Sequence, residues 1–146
     1  MSFSSGRKNA GTYKVTVTLT GNYSGSKAAA FTINKATNPL KVKVKAVKVK
    51  YSAVKKKDVK FPSAKVFTFI KKGQGKISYN LVSVKKGNKK IKNMIAINKT
   101  TGKVTIKKNT KMKKGTYKVK VKVKAAGNAN YKASAVKTVT FKVKVK

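Results

Sequence analysis

The chain has 146 residues, 39 Lys+Arg against one acid, Asp58, and neither cysteine nor histidine, giving a net charge of +38 at pH 7. That inventory excludes most chemistry. Paired-carboxylate catalysis needs two acids, and Ser-His-Asp or Cys-His nucleophiles need residues that are missing. Zinc would lack its usual ligands, and calcium would meet one carboxylate amid like charge. No enzyme activity, cofactor, metal site or small-molecule substrate is expected. Disulfides are excluded too, although that alone assigns no compartment.

Disorder is the rival reading for such a charge, but 40% of the residues are apolar. They alternate with lysine in strand period, with turn residues between the runs, which favours a packed core. Spread over the roughly 7,000 Å² of a globule of this mass, the charges would sit about 14 Å apart. They would be screened at physiological salt and poorly screened at low salt.

Taken in chain order, Met1 to Gly11 holds no apolar run of signal-peptide length, and no stretch approaches the ~20 residues of a membrane span. Gly11-Thr-Tyr-Lys-Val-Thr-Val17 reads as a strand and Ala30-Phe-Thr-Ile33 as its partner. Both return later, as Gly115-Thr-Tyr-Lys-Val-Lys-Val121 and Thr140-Phe-Lys-Val143, and Asn22-Tyr23 returns as Asn130-Tyr131. The offset runs from 104 to 110 residues, about the length of a β-sandwich domain. Residues 1–35 are therefore expected to be the closing hairpin of an upstream repeat, 36–39 a linker, and 40–146 the complete repeat.

Seven strands are expected in 40–146. Leu40, Val42 and Val44 share one phase and Val47, Val49 and Tyr51 the other, so a bulge or a change of sheet is expected at Ala46-Val47. Phe67 and Phe69 mark the second strand. Ile77, Tyr79 and Leu81 mark the third, with a phase flip at Val82 and Val84. Ile95 and Ile97 turn through Asn98 to Gly102 into Val104 and Ile106. Tyr117 to Val123 and Val139 to Val145 complete the set. Many short strands, Gly/Asn turns and no helix-period segments predict an all-β antiparallel sandwich.

The run Ile97-Asn-Lys-Thr-Thr-Gly-Lys-Val-Thr-Ile106, followed by Lys113-Lys-Gly-Thr-Tyr117-Lys-Val-Lys-Val121, resembles bacterial Ig-like repeats of surface proteins and adhesins. The resemblance implies an Ig-like fold, an extracellular or cell-surface location within a larger secreted protein, and no activity. It places Tyr117 at a tyrosine corner, with Gly115 and Gly102 as further structural positions. This sequence departs from such repeats in its charge.

In that fold the first, sixth and last strands lie side by side. Lys48, Lys50, Lys118, Lys120, Lys122, Lys124, Lys142, Lys144 and Lys146 would then merge into one patch. A solvated face is the bland reading. The functional one is attraction of polyanions: cell-wall polymers such as teichoic acid, sulfated or sialylated glycans, nucleic acid or anionic lipid. The near absence of arginine disfavours sequence-specific reading of nucleic acid.

Two lesser features complete the reading. The phases of Phe67, Phe69, Tyr79, Tyr117 and Phe141 put them in the core rather than on a stacking platform. Asp58, beside Lys55, Lys56 and Lys57, invites comparison with Lys–Asn isopeptide crosslinks, against the plainer reading of a solvated acid. Two functions from different classes follow. One is an adhesive spacer held to polyanions. The other is an autonomous, supercharged polycation that associates with nucleic acid or membranes and penetrates cells; deliberate supercharging is a third origin, disfavoured by the upstream remnant.

Overall fold

The computed structural model describes residues 8–109 and 111–146. Two strands come first, β1 (Gly11–Thr18) and β2 (Ser26–Ile33), forming a separate antiparallel hairpin. The sandwich follows: β3 (Lys41–Val44), β4 (Val47–Val49), α1 (Tyr51–Lys56), β5 (Val59–Phe61), α2 (Ser63–Val66), β6 (Phe67–Lys71), β7 (Ile77–Lys86), β8 (Lys89–Ile91), β9 (Ile95–Ile97), β10 (Val104–Ile106), β11 (Gly115–Ala125) and β12 (Lys137–Val145).

One layer is a five-stranded sheet ordered β4-β12-β11-β7-β8. Two further sheets, the pair β3-β6 and the three strands β5-β10-β9, share a core with it. Strict Lys/Val alternation makes β11 the spine. Tyr117, Val119, Val121, Val123 and Ala125 all point inward and are buried, while every lysine between them is exposed. Phe67 joins the layers, its ring 4.9 Å from Tyr79 on β7 and 5.9 Å from Phe141 on β12. Burying each Val or Phe side chain contributes about 1.5–3 kcal/mol, and almost no ion pair can assist with one acid in the chain. The burial around Tyr79 also raises its phenol pKa by desolvation.

The expected change of sheet is present. β3 pairs with β6, whereas β4, two residues later, pairs in parallel with β12 in the opposite sheet. The phase flip at Val82 is a bulge, where the β7–β11 register shifts between Lys120 and Val121.

Four elements differ from expectation. Tyr51 does not extend the first strand but opens α1, because its N–H bonds the Lys146 carbonyl and the chain then turns to bury Val54. α2, a single turn beginning after Pro62, buries Val66. The three-residue strands β5 and β8 are too short to show an alternating pattern.

Asp58 has a structural use. Its carboxylate accepts the Lys108 backbone N–H at 2.7 Å, clipping the start of β5 to the end of β10, which accounts for the lone acid without a crosslink.

The β1–β2 hairpin meets the sandwich through polar contacts. Asn130 accepts the Ala10 N–H at 2.8 Å and donates to the Asn9 side chain at 2.8 Å. Ala36 exchanges backbone bonds with Asn130 and Lys132. Just beyond, Asn38 is buried, donating to the carbonyls of Gln74 and Lys132 and accepting from the Gln74 N–H, each at 3.0 Å. Within residues 11–33 only Tyr13, Val15 and Ile33 are even half-buried.

Candidate anion-binding face

Cross-strand partners share a face of a sheet, so the ladders lay out the exterior of the five-stranded layer. One row crosses four strands, with Lys142 opposite Lys118, Lys118 opposite Lys85 and Lys85 opposite Lys90. At about 4.8 Å between strands it spans roughly 14 Å with an ammonium-bearing side chain at every step. Below it runs Lys48–Lys144–Thr116. Above it come Thr140–Lys120–Ser83, Thr138–Lys122–Asn80 and Lys124–Ser78. Lys118, Lys120, Lys122 and Lys124 thus form a column of about 20 Å along β11, flanked in its upper part by hydroxyl and amide groups.

Lys48, Lys118, Lys120, Lys122, Lys124, Lys142 and Lys144 therefore occupy one continuous face. Lys50 and Lys146 lie past the last ladder pair, Val49 and Val145, at its lower end. There they border a recess of ≈ 130 Å³ with Lys48 and Val49. All nine are exposed.

Two residues of the face escaped the sequence reading, Lys85 and Lys90. Their signal was Lys-Lys-Gly87-Asn88-Lys-Lys, a two-residue hairpin turn. Gly87 adopts φ +57°, and Lys86 pairs with Lys89 across it.

Average spacing understates this field. Like charges directly opposite one another destabilise a sheet. Two ammonium groups 7 Å apart in water repel by about 0.6 kcal/mol. Elsewhere lysines find substitutes for the missing acids: Lys86 donates to the Lys114 carbonyl at 2.7 Å and lies 5.5 Å from the Tyr117 ring, and Lys55 sits 4.5 Å over Tyr51. The transverse row consists of lysines alone.

Tyr117 is buried, and its hydroxyl donates to the Lys113 carbonyl, four residues upstream, at 2.8 Å. Gly115 sits at φ +126° where the strand begins. Gly102 has φ +68°, and a Cβ there would come within 2.6 Å of the Tyr79 ring. Phe67, Tyr79, Tyr117 and Phe141 are core residues and Phe69 is half-buried, so these five rings form no exposed stacking platform. Among the described residues no helix is long and apolar enough to cross a membrane.

A protein-family model, the MBG domain, matches residues 3–37. No curated protein matches the chain. Among solved structures the chain is similar to protocadherin gamma B2 extracellular cadherin domains 3–6, with TM-score 0.53 and 12% identity over 82% of this chain and 29% of that one. It is likewise similar to the protocadherin gammaB7 EC3–6 cis-dimer structure, with TM-score 0.54 and 13% identity over 96% of this chain and 34% of that one. The chain thus spans about a third of the length of these structures. At such identity the likeness is one of fold alone: an all-β sandwich.

Proposed function

We propose that this protein is a non-enzymatic, surface-displayed adhesion repeat that holds polyanions on the outer face of its five-stranded sheet. The observation that carries this reading is the transverse row Lys142–Lys118–Lys85–Lys90. Neighbouring lysines hold their like charges together on a stiff scaffold without a carboxylate among them, so an incoming polyanion relieves repulsion as well as gaining attraction. Because lysine acts as a point charge, binding discriminates by charge density more than by sequence or stereochemistry. The fold shared with extracellular cadherin domains supports a place outside the cell. The expected ligands are wall polymers of the teichoic acid type and sulfated or sialylated glycans. Among the described residues the ladder positions of the face hold lysine, hydroxyl and amide side chains and no ring, favouring these over single-stranded nucleic acid, which would gain from stacking.

The test is titration with heparin, teichoic acid and mixed-sequence DNA across salt. All three should bind, with log K falling against log salt at a slope of roughly −4 or steeper for four or more neutralised charges. Lys85→Ser and Lys118→Ser should each remove about 1 from that slope, whereas Lys27→Ser on the β1–β2 hairpin should leave it unchanged. Binding that prefers one DNA sequence and persists at high salt would sink the proposal.

A further inference from the structure

The β1–β2 hairpin is built as a second copy of β11–β12, but without the cover that β11–β12 receives. Tyr13 donates its hydroxyl to the Asn9 carbonyl, four residues upstream, at 2.8 Å, the same bond at the same length that Tyr117 makes to Lys113. Each tyrosine follows a Gly-Thr pair, and each glycine faces the end of the partner strand, Gly11 opposite Ile33 and Gly115 opposite Val145. Counting from those corners, Tyr13, Val15 and Val17 correspond to Tyr117, Val119 and Val121. Across the ladder Ile33, Phe31 and Ala29 correspond to Val145, Val143 and Phe141.

The fates of the two faces differ. Val119, Val121, Phe141 and Val143 are buried in one core with Phe67 of β6, Ile95 of β9 and Val104 and Ile106 of β10, and β7 and β4 pair alongside. On the hairpin, Phe31 is 42% exposed, Val17 38% and Leu19 53%. Among the described residues no third strand joins β1 or β2. A two-stranded ribbon is marginal in water by itself, and an apolar face beside free strand edges is a template for pairing.

The geometry points to a specific occupant: this face is the docking surface for the remaining strands of another sandwich of the same kind, a unit equivalent to residues 40–112 that lacks its own closing hairpin. A complete second copy of this chain does not fit the role, because its β11–β12 already fill that place. The polar clasp between Asn130 and residues 9–10 would then be the junction between consecutive repeats, and the chain would be a closing hairpin followed by one whole unit. The inference stands independently of polyanion binding.

It is tested by lengthening the chain, placing a copy of residues 40–112 directly before residue 9 so that the corner spacing is kept. The substitutions Ala29→Phe and Phe31→Val match the inward residues to those of β12. In the 146-residue chain, β1–β2 amides should exchange far faster than those of β11–β12. In the lengthened chain they should slow by roughly two orders of magnitude or more, as expected of a cooperative unit. Adding Val15→Lys to the lengthened chain should abolish that protection without moving the melting point of 40–146. The inference is overturned if the hairpin amides stay fast in the lengthened chain. It is overturned equally if they are already slow in the 146-residue monomer, or become slow there only as concentration drives self-association.

Discussion

The two hairpins of this molecule begin with the same words, Gly-Thr-Tyr-Lys-Val, and fold into the same local structure. Each has antiparallel pairing, a glycine at the strand's start and a tyrosine bonded four residues back. One is the spine of a packed sandwich, with Tyr117 2% exposed; the other projects with most of its apolar residues in solvent. Local geometry is thus settled by local sequence, while its contribution to stability is settled by what lies on top. A valine at position 121 is worth a core residue; a valine at position 17 is close to neutral.

The comparison breaks most readily on aromatic truncation. Phe141→Ala should cost about 3–5 kcal/mol, as for a large ring removed from a core, whereas Phe31→Ala should stay within about 0.5 kcal/mol. Urea unfolding of the full chain measures both, and a cost above 1 kcal/mol for Phe31→Ala would show the hairpin to be integral to the main unit. Glycine positions sharpen it next. At Gly102 an added methyl meets both a left-handed backbone and the Tyr79 ring, so Gly102→Ala should lose about 2–3 kcal/mol. At Gly21, φ +82° with nothing within 4 Å of the added atom, the same change should leave the sandwich's melting point where it was. The smallest expected effect is that of a single hydroxyl, which in Tyr117 donates to the Lys113 carbonyl and accepts from the Lys113 N–H. Tyr117→Phe should cost about 1 kcal/mol with no change in heparin affinity, while Tyr13→Phe should be silent in global unfolding. A drop in affinity for Tyr117→Phe would tie the corner to the binding face.

Much of the fold could be read before the structure, because alternation of period two leaves little choice of inward face. Leu40 to Val49 carried the change of sheet in its phase, and Tyr117 to Val123 identified a strand with one buried side. Phe31 misled. By likeness of sequence it pairs with Phe141, but the ladder counts from the corner. The connection between β1 and β2 is shorter than that between β11 and β12, so Phe31 stands where Val143 does. Lys90 was missed because β8 is three residues long and only its turn betrays it, and Lys85 because strand order, which the residue pattern does not carry, sets β7 beside β11. The helices α1 and α2 escaped for the same reason of length.

Read alone, the residue pattern pointed to an all-β chain with a buried valine layer and with lysine along the exposed faces of its Lys/Val strands. Those follow from side-chain period and composition, which are local properties. Which lysines became neighbours was set by the tertiary fold. Lys142, Lys118 and the Lys85–Lys90 pair come from separate stretches of the chain, and strand order together with a bulge at Val82 sets them in one row. It also decided that one copy of a repeated hairpin is core and the other is surface, because burial requires partners that no strand supplies for itself.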